Sequence, residues 1–301
     1  MKHVLLTLPI IFCFFSCTDE EIILTKGEYR IKKLLYFSDQ YSGHPHSYRT
    51  YDYDRSGRVI KESFFEYPSL LLFYDTYEYI SGRLHKKTSY AGQSGNPQPG
   101  SYVIYEYQED HLTGESFYYY NGDLHTSRHY EYSDGKLVHT WSSEPGGLEH
   151  THTYYFYNSP GNLVVETSSP DGLNIDNIIN YYYDDLNRLF RKEQETGDST
   201  LLWAEEYLYS DNHSSDSVVI QYNLDGDITY EYHYEFNTDG NLLSAYGIMA
   251  GEIRPLLHNT WMGDLLIEER RYFFPWVGLF PLTYQLSSGW HVTRYEYQKI
   301  N

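Results

Sequence analysis

The chain has 301 residues, and its 36 tyrosines and 14 phenylalanines against three methionines are a strand-favouring bias with enough apolar area to bury a core. Its 22 basic and 42 acidic residues give a formal charge of -20, which repels a phosphate backbone and argues against a nucleic-acid partner. The only cysteines, Cys13 and Cys17, lie at the extreme N-terminus, so the body can hold no disulfide, zinc–thiolate site or cysteine nucleophile.

Met1-Lys2-His3 and the apolar run from Val4 to Phe15 read as a secretory signal, about 12 residues long and too short to span a bilayer. Phe14-Phe15-Ser16-Cys17 resembles a bacterial lipobox, in which a small residue precedes a cysteine that is acylated and becomes the mature N-terminus. The resemblance implies a lipoprotein signal peptide over 1–16 and a lipid on Cys17 that anchors the protein to a membrane. An ordinary signal peptide cut near Ser16 would instead leave Cys17 as an unpaired thiol in an oxidising compartment. The acidic tether 17–28 starts with Asp19, Glu20 and Glu21, which resemble the short export signal of surface lipoproteins in some Gram-negative bacteria. The expected location is therefore the outer membrane, lipid-anchored and surface-exposed.

From Tyr29 a repeat begins. The second ring of each aromatic-x-aromatic pair falls at Tyr53, Tyr79, Tyr107, Tyr132, Tyr157, Tyr183, Tyr209 and Phe236, with spacings of 26, 28, 25, 25, 26, 26 and 27 residues. Residues two apart share a face of a strand. After most of these positions comes a turn and then an aliphatic residue: Gly57 and Val59, Gly82 and Leu84, Gly135 and Leu137, Gly161 and Leu163, Asn187 and Leu189, Gly240 and Leu242. Glycine and asparagine reach positive φ cheaply, as tight hairpins need. Each unit of about 26 residues has room for two strands, so eight units predict sixteen to twenty.

The array spans 29–246. Its looser joints, Gly92 to Gly100, Glu144 to Gly147, Ser168 to Gly172 and Thr196 to Thr200, read as loops within one sheet, since the pattern resumes in phase after each. Residues 247–301 read as degenerate terminal repeats, including Trp261-Met262-Gly263 and a final strand at Tyr295-Glu296-Tyr297. They also contain the most apolar stretch of the mature chain, Tyr272 to Pro281, expected to cap the array.

Tyr51-Asp52-Tyr53-Asp54-Arg55-Ser56-Gly57-Arg58-Val59 and Tyr183-Asp184-Asp185-Leu186-Asn187-Arg188-Leu189 resemble YD repeats of the Rhs-type bacterial shell proteins, and Gly82-Arg83-Leu84 is a partial match. The resemblance implies a long antiparallel sheet wound into a shell. It does not imply a toxin, because the Asp-Pro-x-Gly-Leu element of the large Rhs cores is missing.

The expected fold is all-β: repeated antiparallel hairpins forming one large curled sheet, an open spiral or a barrel-like shell. The strands alternate aromatics with Glu, His and Asp, so a lipid-spanning barrel is not expected. Gly57, Arg58, Gly82, Arg83, Gly135, Gly161, Asn187, Arg188 and Gly240 are assigned to the repeat turns. The pairs His44/His46 and His150/His152 invite a metal, but alternating His on a polar strand face explains them, and no metal or cofactor is expected. Asp225-Gly226-Asp227 and Asp184-Asp185 lack the acidic loop of a calcium site and read as turns. No hydrolase or phosphate-loop motif occurs, so no catalytic residue is assigned and an enzyme is not expected.

Tyrosine rings can stack on sugars or on each other. Tyr119, Tyr155, Tyr182 and Trp276 are the candidates for ligand stacking, against a reading in which cross-strand aromatic ladders only stabilise the sheet. The leading function is a non-enzymatic, lipid-anchored envelope module that binds a glycan or protein partner. The alternatives are a scaffold without a small ligand and, third, a polysaccharide-acting enzyme.

Overall fold

The computed structural model describes residues 25–26, 29–37, 43–91, 98–209, 217–223, 225–238, 240–249, 251–263, 265–273 and 289–299, and all of their regular structure is β-strand. After the short β1 (Thr25–Lys26) come β2 (Tyr29–Phe37), β3 (Ser47–Tyr53), β4 (Val59–Glu66), β5 (Leu70–Ile80), β6 (Arg83–Ala91) and β7 (Gln98–Gln108). The middle of the chain gives β8 (His111–Tyr119), β9 (Leu124–Ser133), β10 (Lys136–Ser143), β11 (Glu149–Tyr157), β12 (Leu163–Ser169), β13 (Asn177–Tyr183) and β14 (Leu189–Thr196). Then follow β15 (Leu201–Tyr209), β16 (Ser217–Tyr222), β17 (Ile228–Phe236), β18 (Leu242–Met249), β19 (Glu252–Met262), β20 (Leu265–Phe273) and β21 (Gly289–Lys299).

From β2 onward each strand pairs antiparallel with its sequence neighbours, and β21 pairs with β2 from Tyr29↔Lys299 to Phe37↔Val292. Strands β2 to β21 thus close into an up-and-down barrel, which removes every sheet edge except where β1 adds to the start of β2. The all-β shell expected from the repeat is present, and of its two forms the closed one is observed.

The turns follow from their residues. Gly57, Gly82, Gly135, Gly161 and Gly240 have φ of 87, 91, 73, 98 and 79°, and Asn187 has 64°. In the first YD-like turn the Asp54 carboxylate accepts the amides of Ser56 and Arg58 at 2.8 and 3.0 Å and pairs with the Arg58 guanidinium. Asp184 does the same for Leu186 and Arg188, while Asn158, Asn223 and Asn237 use one side-chain oxygen on the matching amides. An acceptor side chain that bonds its own turn competes well with extended strand and fixes the reversal.

Opposite the second ring of most pairs lies a bulge: Asp52 faces Lys61 but Tyr53 faces Val59, and the same shift recurs between Glu78/Tyr79, Phe156/Tyr157, Tyr182/Tyr183 and Glu235/Phe236, whereas Tyr209 pairs with Ser217 in unbroken register. Each bulge adds twist, and repeated around the sheet the added twist favours closure. Two strand prolines, Pro99 and Pro255, also sit at register shifts, the irregular sheet positions that tolerate proline.

Register places the Tyr-x-Tyr pairs of the repeat on one face of the sheet. This is the inner, more crowded face: Tyr51, Tyr77, Tyr130 and Tyr234 are buried, Val59 has no exposed surface, and burial raises the pKa of the Tyr51, Tyr77, Tyr181 and Tyr234 hydroxyls. The second tyrosine of a pair also ties one repeat to the one before. Tyr79 donates to the carbonyl of Val59 at 2.9 Å, Tyr157 to Leu137 at 2.8 Å, Tyr183 to Leu163 at 2.8 Å and Tyr209 to Leu189 at 2.7 Å. In the degenerate copy the Trp261 indole N–H takes this role, donating to Leu242 at 2.8 Å.

The outer face carries stacked rings on neighbouring strands, Tyr48–Phe65, Tyr74–Tyr90 and Tyr102–Tyr118, with centroids 4.8, 4.5 and 4.8 Å apart. It also carries ion pairs such as Arg191–Glu206 and Arg294–Glu268, so among the described residues neither face is a continuous apolar band. Most strand residues are half-exposed on both faces, as in a single-layer wall rather than a filled core.

Candidate functional site

Strands β2 and β21 meet at a seam, and a cavity of about 400 Å³ opens across it. That size lies within the range of small-molecule sites. From the C-terminal side, β20 supplies Glu269 and Arg271 and β21 supplies Val292 and Thr293. From the N-terminal side, β2 supplies Tyr36 and Phe37, β3 with its approach supplies His46, Ser47 and Arg49, and β4 supplies Phe64. Phe37 and Val292, buried at 4% and 1% exposure, bring apolar side chains to the lining.

Strand parity explains the polar lining. Arg49 lies two residues before Tyr51, so it shares the inner face, and Glu62 is the direct partner of Tyr51 on β4. Arg49 Nη1 meets Glu62 Oε1 at 2.5 Å, and its guanidinium lies 6.0 and 5.6 Å from the ring centres of Tyr36 and Phe64. The Arg49 Nε is buried without a partner, a state that costs about 1–3 kcal/mol for a polar group. Arg271 is held by Glu269 on its own strand, Nε to Oε1 at 2.6 Å and Nη2 to Oε2 at 3.2 Å. Those hydrogen bonds push the Arg271 pKa up. Burial pulls that of Arg49 down, but Tyr36 and Glu62 beside it outweigh burial, so both stay cationic.

The residues assigned from sequence are dispersed. The turn residues do turn work, and their cations lie over the stitching rings: Arg58 is 4.6 Å from the Tyr79 ring centre, Arg83 5.6 Å from Tyr107 and Arg188 4.7 Å from Tyr209. Arg83 also reaches the Glu109 carbonyl and the Asp110 carboxylate. Tyr155 is half-buried on the inner wall. Tyr119 is exposed at the end of β8 and bonded to His125 at 3.0 Å. Tyr182 is on the outer face, where its hydrogen bond to Glu193 at 2.7 Å, with some burial, pushes its pKa up to about 12. These three rings form no common platform. Trp276 of the expected cap lies outside the described residues, as do Cys17, Asp19, Glu20 and Glu21.

The histidine pairs also separate. His44 stacks on Tyr67 with centroids 5.5 Å apart, His46 lines the seam cavity, and His150 lies 3.7 Å from Glu144. His152 Nδ1 is 3.1 Å from His139 Nε2, and the outer nitrogens of this couple face Glu149 and Glu131 at 4.0 and 3.5 Å. No group of three or more metal-ligating side chains occurs among the described residues. In the outer ladder, lysines cover the ring faces: Lys33, Lys61 and Lys86 sit 3.9, 4.2 and 4.7 Å from the centres of Tyr48, Tyr74 and Tyr102. Those faces are occupied by neighbours rather than offered to sugars.

Sequence reasoning missed Arg49 and Arg271. Their only local signal is a charge at an inward-facing position of a Tyr-rich strand, and that signal needs the register to be seen.

Among solved structures, the chain is similar to "Crystal Structure of TcdB2-TccC3-Cdc42" at 13% identity and a TM-score of 0.36, covering 76% of this chain and 14% of that one. A second TcdB2-TccC3 structure, with TEV, gives 12%, 0.38, 80% and 15% for the same measures. A porin-like protein from Bacteroides uniformis ATCC 8492 gives 11% identity and a TM-score of 0.38, covering 89% of this chain and 98% of that one. No family model and no curated protein matches. With these TM-scores below 0.5, the likenesses do not bear on what this chain does.

Proposed function

We propose that the protein is a lipid-anchored envelope barrel of the YD-repeat kind with a non-enzymatic role: it presents the seam cavity to a glycan or protein partner. The observation that carries the reading is that cavity, an opening of about 400 Å³ of mixed polar and apolar lining with two fixed guanidiniums on a barrel wall. The N-terminal sequence Ser16-Cys17 followed by Asp19-Glu20-Glu21 supports attachment through lipid on Cys17 and display on the outer membrane surface. Ion pairs on the outer face support a barrel that stands in water, because a charged side chain at a bilayer midplane costs about 2–4 kcal/mol.

A scaffold role is the second reading. It is favoured by the outer aromatic ladder, whose ring faces are used up in stacking. Glycan- and peptide-array binding by the soluble form starting at Thr18 separates the two. A reproducible ligand supports display, and silence on both arrays supports the scaffold.

A further inference from the structure

We propose that the seam cavity takes a saccharide bearing an anionic oxygen group, a carboxylate or sulfate, gripped between Arg49 and Arg271. The inference rests on the display reading above and names the ligand class for the same cavity.

Charge comes first. The chain as a whole is at -20, yet the charged side chains lining the cavity are two arginines and one glutamate. With Glu62 paired to Arg49 and Glu269 to Arg271 the site is close to neutral, so an anion entering it escapes the repulsion that the rest of the acidic chain imposes. Geometry comes second. Both guanidiniums are held by carboxylates, Arg49 by Glu62 and Arg271 by Glu269, and Arg49 keeps a buried Nε with no partner. A planar guanidinium suits two-oxygen acceptors such as carboxylate and sulfate.

The remaining lining distinguishes a sugar from a peptide. Ser47, Thr293 and Tyr36 bring hydroxyls for a polyhydroxyl ligand, and Phe64 brings an apolar ring beside them. An extended peptide is recognised most readily by adding a strand to a free sheet edge. The closure of β21 on β2 removes that edge beneath the cavity.

The test is calorimetric titration of the full-length lipoprotein in detergent with four probes of matched length: an oligogalacturonate, a sulfated oligosaccharide, a neutral oligosaccharide and an acidic peptide. Binding of either anionic saccharide, weakened at least tenfold by Arg49→Gln or Arg271→Gln, is the expected result, and the two anionic probes report which group is preferred. Because an arginine variant can fail to fold, Glu269→Gln serves as the second variant: it removes the competing carboxylate and is expected to tighten anionic binding. Equal binding of the neutral and anionic saccharides overturns the inference and leaves the display reading standing, as does binding of the peptide alone. Anionic binding indifferent to all three substitutions also overturns it. No binding of any probe overturns both.

Discussion

The hydroxyl of Tyr79 donates to the carbonyl of Val59 at 2.9 Å, while the guanidinium of Arg58, the residue before Val59, lies 4.6 Å from the centre of the Tyr79 ring. The hairpin of Tyr79 is thereby held to the one before it by a hydrogen bond and a cation–ring contact, and Tyr157 with Lys136 and Tyr209 with Arg188 repeat the arrangement. Tyr79→Phe keeps the ring and removes only the donor, so it is expected to cost about 1 kcal/mol in urea unfolding. Trp261→Phe should cost a similar amount by removing the N–H to Leu242. No loss in either variant would make the stitch an incidental contact.

The YD aspartate acts as a turn acceptor. Asp54→Asn retains an oxygen for the Ser56 and Arg58 amides and is expected to be mild, as Asn158 and Asn237 already show, whereas Asp54→Ala is expected to cost about 1–2 kcal/mol. Burial raises the Asp54 carboxyl, but hydrogen bonds from Arg58 and Ser56 together outweigh it and hold the pKa below its ordinary value. The folded state then binds fewer protons than the unfolded, so this stability is present above about pH 4 and is lost as pH falls through the folded value. An acid titration in which Asp54→Ala and wild type fall in parallel would contradict the assignment.

His139 gives a second pH window. Burial lowers its pKa from 6.5, and this outweighs the hydrogen bond that the ring donates to Glu131. The unfolded chain therefore takes up a proton first, and stability present above pH 6.5 declines as pH falls through the lower folded value. His139→Gln should flatten the melting temperature between pH 7 and pH 5. A slope unchanged in the variant would assign the window to another group.

Lipid attachment has its own check. Labelled palmitate is expected to enter the wild-type chain and not Cys17→Ala, and the variant should leave the membrane fraction. Label retained in Cys17→Ala would overturn the reading of the N-terminus.

Much of the architecture was legible because its causes are local. Tyr51 and Tyr53 share a face by parity, Gly57 supplies the positive φ, and Val59 resumes the inner face, so the hairpin can be read from nine residues. The bulge opposite Tyr53 was not legible, since Ile60 looks like any strand residue until its partner slips. Closure was not legible either: the pairing of Leu34 with Tyr295 joins strands far apart in the sequence and leaves no local mark. The cavity inherits that opacity, because Arg49 and Arg271 come together only through the seam.

Closure is accordingly the claim on which the site depends, and one crosslink tests it. Lys33 and Glu296 are direct partners across the β2–β21 seam, and no cysteine follows Cys17. Lys33→Cys with Glu296→Cys, in the soluble form starting at Thr18, is expected to form an intramolecular disulfide under mild oxidation, because Cβ atoms of directly opposed residues lie about 4.5–5.5 Å apart. Free thiols persisting in a folded protein would mean that the ends do not meet, leaving an open spiral with no seam cavity.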